Sequence, residues 1–177
     1  MLQTARLRLR RWTPADLDPL AALNADLEVM HYFPALRSRG ESAAGLARAE
    51  TSFAEHGFGF WVMDLPGTGL IGLCGLMVPG FDAAFMPCVE IGWRMARAHW
   101  GRGYATEAAQ AALTDGFGRV GLAEVVAFTA AGNVPSRRVM ERIGMVRDLG
   151  GDFQHPGVPG GSPLKSHVLY RISAPVP

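Results

Sequence analysis

The sequence has only two cysteines, Cys74 and Cys88, and a single lysine, Lys165, among its 17 basic residues. The cysteines stand in apolar segments without CxxC spacing, which favours buried, reduced thiols over a disulfide or a zinc site. The five histidines are scattered and form no H-E-x-x-H pattern, so we expect no metal cofactor. The chain also has no G-K-S or G-K-T segment, which excludes a P-loop.

Long apolar runs and an excess of one charge are also missing. No run approaches the length that spans a membrane, and residues 1–6 do not resemble a signal peptide. The 17 basic and 16 acidic residues nearly cancel, which argues against a nucleic-acid or membrane partner. With 49% apolar residues in 177, we expect one domain over residues 1–177, soluble and cytoplasmic.

The hydrophobic pattern alternates between the period of strands and the period of helices. The stretch between Trp61 and Leu70 holds Pro66 and Gly67, which predicts a turn joining two antiparallel strands. Further on, strand, helix and strand succeed one another as in a crossover that joins parallel strands. The predicted strands are 4–12, 60–63, 70–77, 88–95, 124–129, 145–153 and 166–172, and the predicted helices begin near Thr13 and cover 41–56, 104–120 and 134–143. Residues 154–163, rich in proline and glycine, are predicted to be an exposed loop.

The segment with the clearest chemistry is Trp100–Glu107, with the sequence WGRGYATE, between a predicted strand and a predicted helix. Its glycines allow the backbone to approach a ligand, and the first turn of a helix presents unpaired N–H groups to an anion. This pattern favours a phosphate-binding loop, although a Gly-x-Gly pair also serves as a plain turn. A dinucleotide-binding fold would have this loop after its first strand, whereas here several strands precede it.

Four segments in order carry a resemblance to a known family. They are TARLRLR at 4–10, EIGWR at 90–94, HWGRGYATEA at 99–108 and NVPSRRVMERIGM at 133–145. Together they resemble the GCN5-related N-acetyltransferases, and more narrowly the branch with the ribosomal-protein acetyltransferases RimJ and RimL. The likeness covers nearly the whole chain.

The resemblance implies an α/β fold with a twisted, mixed, mostly antiparallel sheet of about seven strands flanked by helices. The parallel strands 88–95 and 124–129 would splay apart to admit the pantetheine arm of acetyl-CoA, which is the implied co-substrate. The family's Q/R-x-x-G-x-G/A loop falls on residues 100–105. Trp100 departs from the Gln or Arg of the wider family, but backbone amides rather than this side chain form the phosphate cradle.

Two side chains are candidates for catalysis. An amine must be neutral to attack a thioester, and Glu90 is the candidate proton acceptor. The alternative is a surface carboxylate or one paired with Arg94. Ser136 matches the position that this branch places near the coenzyme sulfur, and the alternative is an ordinary residue of the first helical turn. Met140 stands where many relatives have a tyrosine, which excludes a tyrosine acid there.

The remaining candidates would bind the coenzyme. Asn133 is expected both to cap its helix and to bond pantetheine amides. Arg102, Arg137 and Arg138 are candidate phosphate ligands, although exposed arginines are more often only solvated, and only Arg102, inside the loop, is favoured over that alternative. The expected coenzyme-binding residues are Trp93, Arg94, Met95, Trp100, Gly101, Arg102, Gly103, Tyr104, Ala105, Thr106, Asn133, Ser136 and Arg137.

These features together predict direct acetyl transfer from acetyl-CoA to a primary amine, either a protein N-terminus or a small molecule. We expect a backbone N–H near residues 125–127 to polarise the thioester carbonyl. The alternatives are a non-catalytic acyl-CoA sensor of the same fold and, less favoured, a dinucleotide oxidoreductase. Residues 24–56 and 154–165, which would shape the acceptor pocket, show no readable charge pattern, and a monomer and a homodimer are equally compatible with the sequence.

Overall fold

A computed structural model describes residues 1–175 of the chain. It contains one eight-stranded sheet with the order β1-β2-β3-β4-β5-β6-β8-β7, in which only the β5–β6 pair is parallel. The strands are β1 (Leu2–Gln3), β2 (Arg8–Arg10), β3 (Phe60–Leu65), β4 (Gly69–Met77), β5 (Glu90–Met95), β6 (Glu124–Ala130), β7 (Val146–Gln154) and β8 (Ser166–Ser173). The α-helices are α1 (Leu17–Ala25), α2 (Arg39–His56), α3 (Tyr104–Asp115) and α4 (Val134–Arg142).

Helix α3 and strand β5 determine where the two faces of the sheet lie. On one face, Ile91 and Met95 of β5 pack into a core with α3, whose small buried residues Ala108 and Ala112 let the helix approach the sheet closely. On the other face, Arg94 of β5 reaches α1. The alternation of side chains along β5 therefore separates an α3 face from an α1 face.

The ends of the helices are fixed by local chemistry. Helix α2 begins after Ser38, whose Oγ accepts a hydrogen bond from Glu41 N at 3.2 Å, while the Glu41 carboxylate accepts one from Ser38 N at 2.7 Å. It ends at Gly57, whose φ of 74° is open to glycine at little cost. Gly116 has a different role from Gly57, because its missing side chain lets the end of α3 pack on β4. A Cβ added at Gly116 would lie 2.7 Å from Leu76 Cδ1.

The predicted fold class and the parallel crossover are confirmed, and several boundaries differ. The sheet has eight strands rather than about seven because Leu2–Gln3 adds a short edge strand. The first predicted strand, 4–12, is reduced to Arg8–Arg10, since Thr4 N donates to Leu7 O at 2.9 Å and turns the chain. The predicted helix 104–120 ends at Asp115 and continues as a π-helical turn, Gly116–Val120.

The other elements shift by a few residues at most. Strand β5 begins at Glu90 rather than at residue 88, and α2 begins two residues before the predicted start. Strand β7 runs to Gln154, which the sequence places in the loop. Within residues 1–175, no helix is both long and apolar enough to cross a membrane.

Candidate active site

Strands β5 and β6 separate after a single paired position, Glu90 opposite Val126. Beyond that point the two parallel strands have no common register, so their facing backbone groups have no partner in the neighbouring strand. The antiparallel ladder between β4 and β5 shows which groups these are. Ala96 N donates to Ile71 O at 2.9 Å, so the amides of Gly92 and Arg94 also face β4 while those of Trp93 and Met95 face the split.

The same alternation on β6 identifies the groups on the other side of the split. Ala131 N donates to Ser166 O at 2.9 Å, which turns the odd-numbered amides of β6 toward β8. Val126 N donates to Val89 O at 2.9 Å. All the N–H groups of residues 125–127 are therefore used within the sheet, so an N–H that polarises the carbonyl would have to come from a neighbouring residue. Phe128 carries the first β6 N–H that opens into the split.

The amides at the start of α3 are not used by the protein. Among the described residues, no acceptor is bonded to the backbone N–H groups of residues 101–106, and the first capping bond is from Glu107 N to Gly103 O at 3.0 Å. Gly101 and Gly103 have φ values of 73° and 81°, a conformation that side chains other than glycine's adopt with strain. The bend therefore presents a row of free donors where the positive end of the α3 dipole lies, as an anion site requires.

Contacts of Glu107 with Thr4 and Arg6, which the sequence analysis did not predict, hold this bend in place, and we call them the brace. The Glu107 carboxylate accepts bonds from Arg6 N at 2.7 Å, from Arg6 Nε at 2.6 Å and from Thr4 Oγ1 at 2.6 Å. Arg6 also donates to the carbonyl of Arg102 at 2.9 Å and lies over the Tyr104 ring. Burial would raise the pKa of Glu107, but these hydrogen bonds and the charge of Arg6 outweigh it and lower the pKa. The pairing joins residues a hundred positions apart, and no local pattern indicates it.

Trp100 fastens the other end of the bend. Its indole Nε1 donates to Met95 O at 2.7 Å, at the last residue of β5. The Trp in place of the family's Gln or Arg thus ties the loop to the strand that borders the split. The side chain of Arg102 is exposed on the loop.

The Glu90 side chain projects to the α1 face, whereas that of its neighbour Ile91 projects to the α3 face. Glu90 lies next to the point where β5 and β6 separate. A Cβ added at Gly92 would lie 3.9 Å from Glu90 Oε1 and 3.1 Å from Phe60 Cζ, so the carboxyl and the Phe60 ring share the space above this glycine. Burial raises the pKa of Glu90 to about 8. Within residues 1–175 Glu90 forms no ion pair, so the alternative of a Glu90–Arg94 pair is not seen.

The start of α4 brings the other candidates to the split. Asn133 Oδ1 accepts from Ser136 N at 3.3 Å, which is the expected cap, while its Nδ2 donates to Thr129 Oγ1 at 2.8 Å. The half-buried Ser136 hydroxyl makes no hydrogen bond to the described residues. Arg137 donates to Tyr170 Oη at 3.3 Å and to Ala131 O at 3.1 Å, so its guanidinium is directed at the protein.

Arg94 lies apart from the other predicted coenzyme-binding residues. Its Nη1 donates to Asn24 Oδ1, and its guanidinium lies 4.5 Å from the centroid of the Phe33 ring. These partners belong to α1 and to the loop after it, on the face of the sheet opposite the α3 bend. That loop also crosses the end of the split, since Tyr32 Oη donates to Gly132 O at 3.2 Å.

Two other places in the fold offer no competing site. No group of three or more His, Cys, Asp or Glu within residues 1–175 is arranged to hold a metal ion. A surface cavity of about 600 Å³ lies at the far end of α3 against α4 and β8 and is lined mainly by Leu113, Phe117, Ile143 and Ile172. It contains no charged or catalytic side chain, so we place the chemistry at the split instead.

Comparison with known proteins decides the family. Residues 6–146 match the family described as acetyltransferase (GNAT) domain. The chain belongs to the GNAT acetyltransferase family. It is 34% identical over 146 residues to the uncharacterized protein YkkB of Bacillus subtilis, covering 81% of this chain and 84% of that protein. The predicted family membership is confirmed.

Solved structures support the fold. A GNAT-family acetyltransferase from Bacillus anthracis superposes with a TM-score of 0.79 at 27% identity, covering 98% of each chain. RimL, a ribosomal L7/L12 α-N-protein acetyltransferase solved with coenzyme A, superposes with a TM-score of 0.76 at 15% identity over 96% of this chain and 95% of that one. The second likeness concerns the fold alone.

Proposed function

We propose that this GNAT protein transfers the acetyl group of acetyl-CoA to a primary amine by direct attack within a ternary complex. The observation that carries the proposal is the row of unbonded amides at residues 101–106, held at the positive end of α3 and tied to the border of the split. A diphosphate fits such donors because each oxygen accepts several hydrogen bonds. The pantetheine arm then runs along the unpaired edges of β5 and β6, next to Trp93 and Phe128.

Glu90 removes the proton from the attacking amine. Its pKa of about 8 is close to that of a terminal ammonium, roughly 8, so proton transfer between the two is nearly balanced. The amine nitrogen attacks the carbonyl carbon, the C–N bond forms, and the C–S bond breaks. The Phe128 N–H is the β6 donor available to the carbonyl oxygen. The Ser136 hydroxyl, which no described residue engages, gives its proton to the departing thiolate and regains one from the second proton that the amine nitrogen loses as the amide forms.

The function is tested by following free thiol after mixing the protein with acetyl-CoA and a panel of amines. The panel contains peptides with free N-termini, polyamines and aminoglycosides, each with its N-acetylated form as the matched blank. Thiol release that needs a free amine supports transfer. Coenzyme binding without release for any amine contradicts it and supports the acyl-CoA sensor.

The role of Ser136 has its own test in the same assay. Ser136→Ala is expected to lower kcat about tenfold or more while the KM for acetyl-CoA stays within twofold, because the hydroxyl acts on the leaving group rather than in binding. Ser173→Ala, at the exposed end of β8, is the matched control and should leave both constants unchanged. Equal kcat in the two variants would remove Ser136 from the mechanism.

A further inference from the structure

Arg94 is a largely buried cation without a carboxylate partner. Within residues 1–175 its guanidinium bonds to Asn24 Oδ1 and to the Met30 sulfur at 3.5 Å, and its Nε is buried with no hydrogen-bond partner. A buried charge normally has a counter-charge, because removing it from water is costly. Burial, together with the nearby charge of Arg37, lowers the pKa of Arg94 to about 9.

A second cation reinforces the first. Arg37, half-buried before α2, donates its backbone N–H to Asn24 O at 3.1 Å, so Asn24 bonds to the backbone of one arginine and to the guanidinium of the other. Burial, and then the charge of Arg48, lowers the pKa of Arg37. Two cations that repel one another across one asparagine indicate a place where an anion is bound.

The neighbouring carboxylates are committed elsewhere. Glu28 pairs with Arg97 at 2.6 Å, and Asp18 pairs with Arg39 at 2.8 Å. The Glu41 side chain is bonded to Ser38. In the part of the chain that the structure describes, no carboxylate therefore lies within ion-pair distance of Arg94.

This unsatisfied cation lies on the same sheet face as the proposed base. Glu90, Gly92 and Arg94 alternate along β5 and share the α1 face, with Glu90 and Arg94 about 13 Å apart at their Cα atoms. The Phe60 ring lies above Gly92 between them. A ligand seated over Phe60 would thus meet a proton acceptor at one end and a cation at the other.

We propose that the acceptor is a primary amine that also carries a carboxylate or phosphate group, with the amine at Glu90 and the anion at Arg94 and Arg37. The inference rests on the proposed acetyl transfer and names the chemical class of its acceptor. The separation along β5 favours acceptors whose two groups are several bonds apart. The anion is not the coenzyme's diphosphate, because the free amides of residues 101–106 belong to α3 and the arginine pair faces α1.

The test compares paired acceptors with and without an anionic group. The carboxylate arm uses β-alanine, 4-aminobutyrate and 6-aminohexanoate against their carboxamides, and the phosphate arm uses O-phosphoethanolamine against ethanolamine. Values of kcat/KM are corrected for the fraction of neutral amine, because an anion raises the amine pKa. The wild-type protein is expected to favour the anionic member of at least one arm about tenfold or more.

Arg94→Gln and Arg37→Gln are expected to bring that ratio close to one, mainly by raising KM for the anionic acceptor. Arg39→Gln, which breaks an exposed pair near the start of α2, should keep the wild-type ratio. A wild-type ratio near one in both arms overturns the proposal. So does an equal loss for anionic and neutral acceptors, or a change confined to the KM for acetyl-CoA. If Arg94→Gln does not fold, Arg37→Gln decides the question.

The outcome in which no amine is acetylated separates the two proposals. That outcome contradicts the proposed acetyl transfer. The anion site is then tested separately, by measuring the shift of the melting temperature on addition of inorganic phosphate or 6-aminohexanoate. A shift that disappears in Arg94→Gln and Arg37→Gln but persists in Arg39→Gln supports an anion site without acetyl transfer. No shift in the wild-type protein overturns the site as well.

Discussion

Glu107 and Arg6 join the first turn of α3 to the N-terminal segment, with Glu107 Oε2 2.6 Å from Arg6 Nε. The pair fixes the direction of the bend at residues 101–106, since Arg6 also holds the carbonyl of Arg102. It thus supports a bend that contains two glycines. Glycine adds conformational freedom to the unfolded chain, and a fixed bend needs contacts from outside to offset it.

Glu107→Ala tests this brace. The change leaves Arg6 N and Thr4 Oγ1 without their acceptor, so we expect the free energy of unfolding to fall by about 2 kcal/mol and the Kd for coenzyme A to rise several-fold. Chemical denaturation and calorimetric titration measure the two effects. Glu50→Ala breaks an exposed pair with Arg11 and should cost less than about 1 kcal/mol, with no effect on the coenzyme. Equal coenzyme affinity in both variants would show that the brace does not position the bend.

Gly103 and Gly67 provide a matched pair of substitutions. Both have a φ of 81°, so alanine strains the backbone to a similar degree at each, at about 1 kcal/mol. Gly67 lies in the turn between β3 and β4, on the far side of β5 from the split. We expect Gly103→Ala to weaken coenzyme binding tenfold or more, because its Cβ would lie 3.4 Å from Arg6 Nη2 and disturb the contact that holds the bend, whereas Gly67→Ala, whose Cβ would meet nothing within 4 Å, leaves affinity unchanged. Calorimetric titration with coenzyme A provides the measurement, and equal affinities would place the diphosphate elsewhere.

Glu90 predicts a specific pH profile. With a pKa of about 8 in the free protein, kcat/KM is expected to rise with pH through a limb near 8 that stays in place when the amine's own pKa is changed. Glu90→Gln should lose this limb and about a hundredfold or more of kcat/KM. Glu55→Gln, on the exposed end of α2, serves as the control. A limb that moves with the amine, or survives in Glu90→Gln, would assign it to the substrate.

The same carboxyl makes a prediction about stability. Its pKa is roughly 4.3 in the unfolded chain and about 8 when folded, so the folded state holds more protons between those values. Its contribution is therefore fully present at low pH and is lost as pH rises through 8. Glu90→Gln should make the protein more stable than wild type at pH 9 and have a smaller effect at pH 5. Urea denaturation at both pH values tests the sign, and a constant difference would mean that the carboxyl is not held protonated.

The neighbouring histidines His155 and His167, with ring centroids 4.7 Å apart, predict acid sensitivity. Burial, and then the charge of His155, lowers the pKa of His167 to about 4, and burial also lowers that of His155. Both must take up protons on unfolding, so stability is expected to fall as pH drops from about 6.5 toward 4. His167→Gln should flatten this slope in urea denaturation, whereas the exposed His56→Gln should not. An unchanged slope would contradict the shifted pKa.

The sequence predicts those parts of the site that are local. Gly101 and Gly103 stand at a strand-to-helix junction, and Asn133 precedes a helix, so their backbone roles follow from spacing alone. The contacts between Glu107 and Arg6, Trp100 and Met95, and Arg94 and Asn24 are set by tertiary packing. No periodicity reveals them. The hydrogen bonds of the Val125–Ala127 amides are hidden from sequence reading for the same reason, because their partners depend on the register of β6 with β8 and β5.

The ends of the helices and strands also divide into those set by local sequence and those set by tertiary packing. The start of α2 is set by a local capping pattern, Ser38 followed by Glu41. The end of α3 at Asp115 instead depends on the packing of Gly116 against Leu76 of β4. The three-residue strand β2 is short because Thr4 turns the chain upstream of it. Side chains that compete locally for backbone groups override an alternating pattern.

The central claim is that the free amides at the start of α3 bind the diphosphate of acetyl-CoA beside the β5–β6 split. The direct measurement is a titration of the ¹⁵N-labelled protein with coenzyme A, followed through its amide resonances. Binding of the diphosphate at these amides should give the largest saturable shifts at Gly101, Gly103 and Thr106, with the turn at Gly67 unaffected. Saturable shifts that avoid residues 101–106, or no shifts at all at millimolar coenzyme, would contradict it.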